Sequence, residues 1–130
     1  MAKRTIWAIV AVFVTWSILD FILHGVLLQS MYQATSNLWR PMSEMNMALI
    51  YLVTLVAAVC FVLIYGMVGP KTLKSGVLFG ALFGLASGFS MGFGSYAYMP
   101  IPLALAFAWF VGTWIEAVIA GAIAGAILKS

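Results

Sequence analysis

The chain has 130 residues, of which 65% are hydrophobic and 7% charged, and its formal net charge is +3. A soluble domain carries roughly 25% charged residues, so this composition excludes a water-soluble globule and predicts an integral membrane protein in a lipid bilayer. The basic residues form no run and no basic face, so we expect no nucleic-acid partner. The length allows one transmembrane domain over residues 1–130.

Four apolar segments predict four transmembrane helices, because a helix needs about 20 apolar residues to cross a bilayer. They run from about residues 5–28, 45–67, 75–95 and 102–128. The polar stretch between the first two predicts a short interfacial helix or loop. Ser43 is a predicted N-cap for the second span, with Glu44 in its first turn. The predicted fold is therefore all-α, an integral membrane four-helix bundle with a short interfacial helix or loop between helices 1 and 2.

The first span carries ionisable side chains at membrane depth. Asp20 and His24 are four residues apart and Ser17 lies one turn before Asp20, so all three share one face of a helix. A carboxylate at the centre of a membrane helix costs about 2.5–3.5 kcal/mol, which a chain tolerates when the group has a partner or a function. We expect this face to point into the bundle.

The other spans add polar groups to the candidate site. The second span has no charge but places Tyr51 and Thr54 on one face, and the fourth places Thr113 and Glu116 on one face. At a helical rise of about 1.5 Å per residue, the two deep carboxylates should differ in depth by about 8–10 Å unless helix tilt brings them together. The predicted proton or cation path consists of Asp20, His24, Glu116, Ser17, Tyr51, Thr54 and Thr113.

The third span contains a stripe of small residues. Its glycines recur at every fourth position and are Gly76, Gly80, Gly84, Gly88 and Gly92. Such small-xxx-small spacing lets another helix approach closely. We expect the partner to be the fourth span, through Ala117, Gly121 and Gly125.

Other chemistry at the ionisable residues remains open. Asp20 and His24 could form half of a site for a divalent metal, completed by a second copy of the chain. They could also act only as packing contacts, with Glu116 as a neutral donor. Haem ligation by His24 lacks a second axial histidine, and the methionines near Met42 are too loosely spaced to predict copper binding.

These features favour a small transporter or channel-like protein, a homo-oligomer, that moves protons, cations or a small solute. The alternative is a non-catalytic accessory or assembly subunit of a larger membrane complex. We expect no enzymatic activity, because the sequence has no nucleophile motif and no phosphate-binding loop.

The basic residues also predict the orientation. With four spans, all but Arg40 fall on one side of the membrane: Lys3, Arg4, Lys71, Lys74 and Lys129. Basic residues concentrate on the cytoplasmic side, so both termini should be cytoplasmic, in a prokaryotic inner membrane. The apolar stretch after Arg4 is too long for a typical signal peptide, and we expect it to be retained as the first helix.

Overall fold

The computed structural model describes residues 2–129, which form helices joined by short connections. The helices are, in chain order, α1 (Ala2–Leu27), α2 (Gln29–Ala34), α3 (Met47–Gly66), α4 (Leu73–Tyr98) and α5 (Leu103–Ile127). All except α2 are long and apolar enough to cross a bilayer. Within residues 2–129 there is no strand. The predicted all-α architecture, with four long apolar helices and a short helical segment after the first, is confirmed.

The four long helices alternate in direction along the bundle. The Arg4 guanidinium donates a hydrogen bond to the backbone carbonyl of Lys129 at 3.1 Å, so the start of α1 and the end of α5 lie at the same end. We call this end, which also carries the connection between α3 and α4, the Lys71 end. The opposite end carries α2 and the connection between α4 and α5, and we call it the Tyr32 end.

The second span begins later than the sequence predicted. Asn46 caps α3, because its side chain accepts a hydrogen bond from the backbone N–H of Leu49 at 3.0 Å. Ser43 and Glu44 lie instead in a preceding 3₁₀ turn. The extended backbone of Met45 separates that turn from the helix. The predicted capping role of Ser43 and the placement of Glu44 in the first turn of the span are therefore wrong.

Helices α4 and α5 form the closest pair in the bundle. A Cβ atom added to Gly80 would overlap the backbone carbonyl of Ala117, and one added to Gly76 would overlap the carbonyl of Gly121. A Cβ on Gly84 would lie 2.7 Å from the Ala117 Cβ. The two backbones can touch only because these positions carry no side chain.

The contact continues towards both ends of the two helices. On α4, Gly88 lies against Phe110 and Gly92 against the backbone of Ala106, and on α5 Gly125 lies against the backbone of Thr72. The glycine stripe thus faces α5 along most of its length.

Helix α3 packs on the bundle only through the half nearer the Lys71 end. There Phe61 contacts the rings of Trp16, Phe79 and Phe83 at centroid distances of 5.4, 4.9 and 5.1 Å. In the other half of α3, between residues 47 and 57, every residue except Thr54 is exposed. The bundle is therefore tight at one end and leaves space beside α3 at the other.

Candidate functional site

A cavity of about 280 Å³ lies between the four long helices, towards the Tyr32 end. Its polar lining residues are Asp20, His24, Thr54, Ser87, Thr113 and Glu116. Its less polar lining residues are Trp16, Val53, Ala57, Phe83, Met91 and Ala117. We call this space the carboxyl cavity, since both intramembrane carboxyl groups lie in it.

The carboxyl groups of Asp20 on α1 and Glu116 on α5 lie within hydrogen-bonding reach of each other. Both residues are half-buried. An ionised carboxylate only accepts hydrogen bonds, so a bond between two carboxyl groups requires a proton on one of them. Two adjacent negative charges would also repel each other strongly where the dielectric constant is low. The pair is therefore a place where a proton can be held and released.

Two contacts set the register in which α1 and α5 meet. The Trp16 indole N–H donates to the backbone carbonyl of Glu116 at 2.8 Å. One helical turn beyond Asp20, Leu23 packs into the notch at Gly112, where an added Cβ would lie 2.5 Å from the leucine Cδ2. Because the helices are antiparallel, these contacts bring Asp20 level with Glu116.

The predicted depth difference of about 8–10 Å between the two carboxylates is wrong. That prediction counted residues inward from the end of each helix and assumed that both ends reach the same level. Helix α1 does not extend as far towards the Tyr32 end as α5 does. Leu28, the residue after α1, packs beside Leu105 and Trp109, which belong to the first two turns of α5.

His24 lies in a π-helical turn, Leu23–Leu27, which ends α1 and leads into α2. Such turns frequently occur at functional sites. The imidazole Nδ1 lies 2.6 Å from the Tyr32 hydroxyl oxygen, and the Trp109 indole N–H donates to the same oxygen at 2.7 Å. Tyr32 can donate its own hydrogen to a neutral His24 or accept one from a protonated His24. The hydroxyl therefore accommodates both charge states of the imidazole.

An aromatic cap, formed by Tyr32, Trp39 and Trp109, covers His24 at the Tyr32 end. The Trp39 ring lies 5.5 Å from the Tyr32 ring and 5.9 Å from the Trp109 ring, and its indole N–H donates to Thr35 at 2.9 Å. Tyr32 lies outside the spans, in α2, and burial raises the pKa of its phenol above the ordinary value of 10.0; Trp109 opposes this shift and Asp20 adds to it. The phenol therefore stays protonated at neutral pH.

Two of the predicted site residues do not line the cavity. Tyr51 is 50% exposed on α3. The Ser17 hydroxyl is buried, with no hydrogen-bond partner among residues 2–129, but it does not reach the cavity wall. The other predicted residues, Asp20, His24, Glu116, Thr54 and Thr113, all line it.

Sequence reasoning missed the residues that complete the site. Ser87 and Met91 face the cavity from α4, one turn apart, on the side of the helix next to the glycine stripe. Their four-residue spacing, which places both on one face of the helix, was the one feature of the sequence that could have identified them. Tyr32 and Trp109 meet through the fold of α2 onto α5, and nothing in their sequence spacing indicates this contact.

The arrangement does not form a metal centre by itself. Among residues 2–129, no group of three or more His, Cys, Asp or Glu side chains is placed to hold a metal ion. Asp20 and His24 share the cavity, so a divalent metal there would need ligands from outside this copy of the chain.

Comparison of the chain with protein-family models, with curated proteins and with solved structures gives no match.

Proposed function

We propose that this chain is a small, non-enzymatic membrane transporter in which Asp20 and Glu116 take up and release a proton or a cation. The observation that supports the proposal is the meeting of the two carboxyl groups in one cavity at membrane depth. Intramembrane carboxyl groups that face a cavity are typical of proton relays and ion pathways.

His24 and Tyr32 extend the proposed path towards the Tyr32 end. A proton on His24 can pass through the Tyr32 hydroxyl, since that oxygen is within hydrogen-bonding distance of Nδ1. The phenol need not ionise, because it can accept one proton as it gives up another. His24 is thus the proposed link between the carboxyl cavity and the membrane surface.

Towards the Lys71 end, the cavity is closed by packed side chains. Trp16, Phe61 and Ala117 belong to one buried cluster immediately beyond the carboxyl pair, with Phe79 and Phe83 packed against it. A continuous open channel would have no such plug. This closure favours a transporter that changes conformation over an open pore.

The test is proton uptake by proteoliposomes that contain a pH-sensitive dye. Under an imposed membrane potential, we expect the wild-type protein to acidify or alkalinise the interior faster than empty liposomes do. Asp20→Asn and Glu116→Gln should lower the rate to that of empty liposomes, because the amides keep the shape and remove the titratable group. Glu44→Gln is the matched control, because Glu44 is exposed in the turn before α3. Equal rates for all four proteins would refute the proposal.

A role as an accessory subunit is the second candidate, and the exposed half of α3 favours it. Between residues 47 and 57 that helix contacts little of its own chain. A second copy or a different membrane subunit could cover this surface. Purification in mild detergent distinguishes the two: a defined homo-oligomer supports transport by this chain, whereas stoichiometric co-purifying subunits support the accessory role.

A further inference from the structure

We infer that the carboxyl cavity binds a small organic cation with an apolar body, such as a quaternary or protonated amine, and that the cation displaces the proton shared by Asp20 and Glu116. The inference rests on the proposed function, since it names a substrate class for the same site. The exchange is balanced: one cation enters and one proton leaves.

Apart from His24, the side-chain hydrogen-bond donors around the cavity are already engaged within the protein. Ser87 and Thr54 donate to backbone carbonyls one turn earlier in their helices, at 2.8 and 3.2 Å. Thr113 donates to the sulfur of Met91 at 3.6 Å. The Trp16 indole N–H donates to the α5 backbone at 2.8 Å. The hydroxyl oxygens and the Met91 sulfur therefore have lone pairs left for a ligand, and such lone pairs attract positive charge.

The titratable groups of the cavity also favour a cation. Asp20 and His24 come from α1 and Glu116 comes from α5, while the lining residues of α3 and α4 carry no ionisable side chain. No lysine or arginine lies in the cavity wall to neutralise the carboxyl pair. Once the shared proton leaves, both carboxyl groups are negatively charged in a site of low dielectric constant, and among the lining residues only His24 can offset part of that charge by taking up a proton. A cation that enters is held strongly there.

The rest of the lining is apolar and aromatic, which suits an organic body better than a hydrated inorganic ion. Trp16 and Phe83 supply ring surfaces, and Val53 and Ala57 supply aliphatic surface from α3. A volume of about 280 Å³ corresponds to roughly nine water molecules. That space fits an amine with one ring or several methyl groups.

The way into the cavity is from the side, through the bilayer. Val53 lines the cavity and is 60% exposed on α3, and its neighbours along this half of the helix are exposed as well. A molecule dissolved in the lipid can pass beside Val53 without crossing the aromatic cap. The cation must therefore be lipophilic enough to enter the bilayer.

The first experiment uses phenyltrimethylammonium with the purified full-length protein in detergent. We expect saturable binding by calorimetry, with one proton released for each cation bound in weakly buffered solution. Because cation and proton compete for the pair, the apparent Kd of the cation should fall by about tenfold for each unit by which the pH is raised, as long as the free pair remains protonated. The uncharged isostere tert-butylbenzene should neither compete nor release protons. A Kd independent of pH, equal competition by the isostere, or equal competition by Na⁺ would overturn the inference.

Variants then locate the binding site. Asp20→Asn and Glu116→Gln should abolish proton release and weaken binding, while Glu44→Gln should bind as the wild type does. Loss of binding in Glu44→Gln to the same degree would overturn the inference. If an amide variant does not fold, the wild-type pH dependence and the isostere comparison still decide the question.

A second pair of variants tests the lateral access. Val53→Trp should weaken cation binding by filling the mouth of the cavity. Val56→Trp is the matched control, because Val56 is 52% exposed on the same helix and does not line the cavity. Equal effects of the two substitutions would exclude this side as the mouth.

The two proposals can fail separately. Proton uptake in liposomes that depends on Asp20 and Glu116, without cation binding, would retain the proposed function and reject the organic cation. Cation binding with proton release, but without any transport, would retain the binding site and reject the transporter.

Discussion

The indole N–H of Trp16 donates a hydrogen bond of 2.8 Å to the backbone carbonyl of Glu116, and this bond joins the two helices that carry the intramembrane carboxyl groups. Asp20 lies one turn from Trp16 on α1, so the bond also sets where its carboxyl group meets that of Glu116. A hydrogen bond between side chain and backbone thus positions the acid pair.

Trp16→Phe should destabilise the protein and reduce proton uptake. The substitution removes the bond and shrinks a side chain that is 8% exposed, which we expect to cost about 1–3 kcal/mol of unfolding free energy. With the register loosened, Asp20 and Glu116 should separate and proton uptake in proteoliposomes should fall.

Trp114→Phe is the matched control, because its indole N–H donates to the backbone carbonyl of Ala81 at 3.0 Å, away from the cavity. It should reduce stability and leave proton uptake unchanged. Equal uptake by both variants would show that the Trp16 bond does not position the acid pair.

Gly80→Ala should weaken the contact between α4 and α5. The new methyl group would overlap the backbone carbonyl of Ala117, which cannot move without shifting the helix. We expect a loss of about 1–3 kcal/mol in unfolding titrations in mixed micelles. A methyl group added at Gly66 would have no atom within 4 Å, so Gly66→Ala should leave the free energy of unfolding unchanged or raise it by up to about 1 kcal/mol. A Gly80→Ala protein as stable as Gly66→Ala would contradict the observed helix contact.

The stability of the protein should fall above pH 10 because of Tyr32. Burial raises the pKa of this phenol in the folded protein above its unfolded value of 10.0, so the unfolded chain loses its proton first as the pH rises. The free energy of unfolding therefore decreases with pH from about 10 upward, until the folded phenol ionises as well. Thermal unfolding in detergent at a series of alkaline pH values measures this slope.

Tyr32→Phe should be less stable than the wild type at neutral pH, since His24 and Trp109 lose a common partner. Above about pH 10, however, its free energy of unfolding should decrease less steeply with pH than that of the wild type. Tyr98→Phe provides the comparison, because Tyr98 is 79% exposed at the end of α4. An unchanged slope in Tyr32→Phe would show that the phenol does not titrate differently in the folded and unfolded states.

The orientation of the bundle remains a prediction from its basic residues. A reporter fused after Ser130 and a reporter inserted between residues 33 and 37 should lie on opposite sides of the membrane. We expect the fusion after Ser130 to report the cytoplasm, because five of the six basic residues belong to the Lys71 end. A cytoplasmic signal from residues 33–37 would reverse the orientation.

The sequence by itself determined the number of long helices, their approximate limits and the face of α4 that packs. These properties are local: apolar length decides whether a helix can span the bilayer, and a four-residue glycine period places Gly76 to Gly92 on one face. Asp20 and Glu116 were identifiable for the same reason, because a carboxyl group in an apolar run is costly wherever the neighbouring helices lie.

Only the tertiary structure decided which of these groups meet. The level at which Asp20 faces Glu116 depends on the antiparallel register of α1 and α5, which Leu23 and Gly112 set by direct contact. The contact between Tyr32 and His24 depends on the turn that folds α2 back over α1. Residue counts along one helix contain no information on the height or rotation of its neighbour, since both follow from side-chain packing between helices.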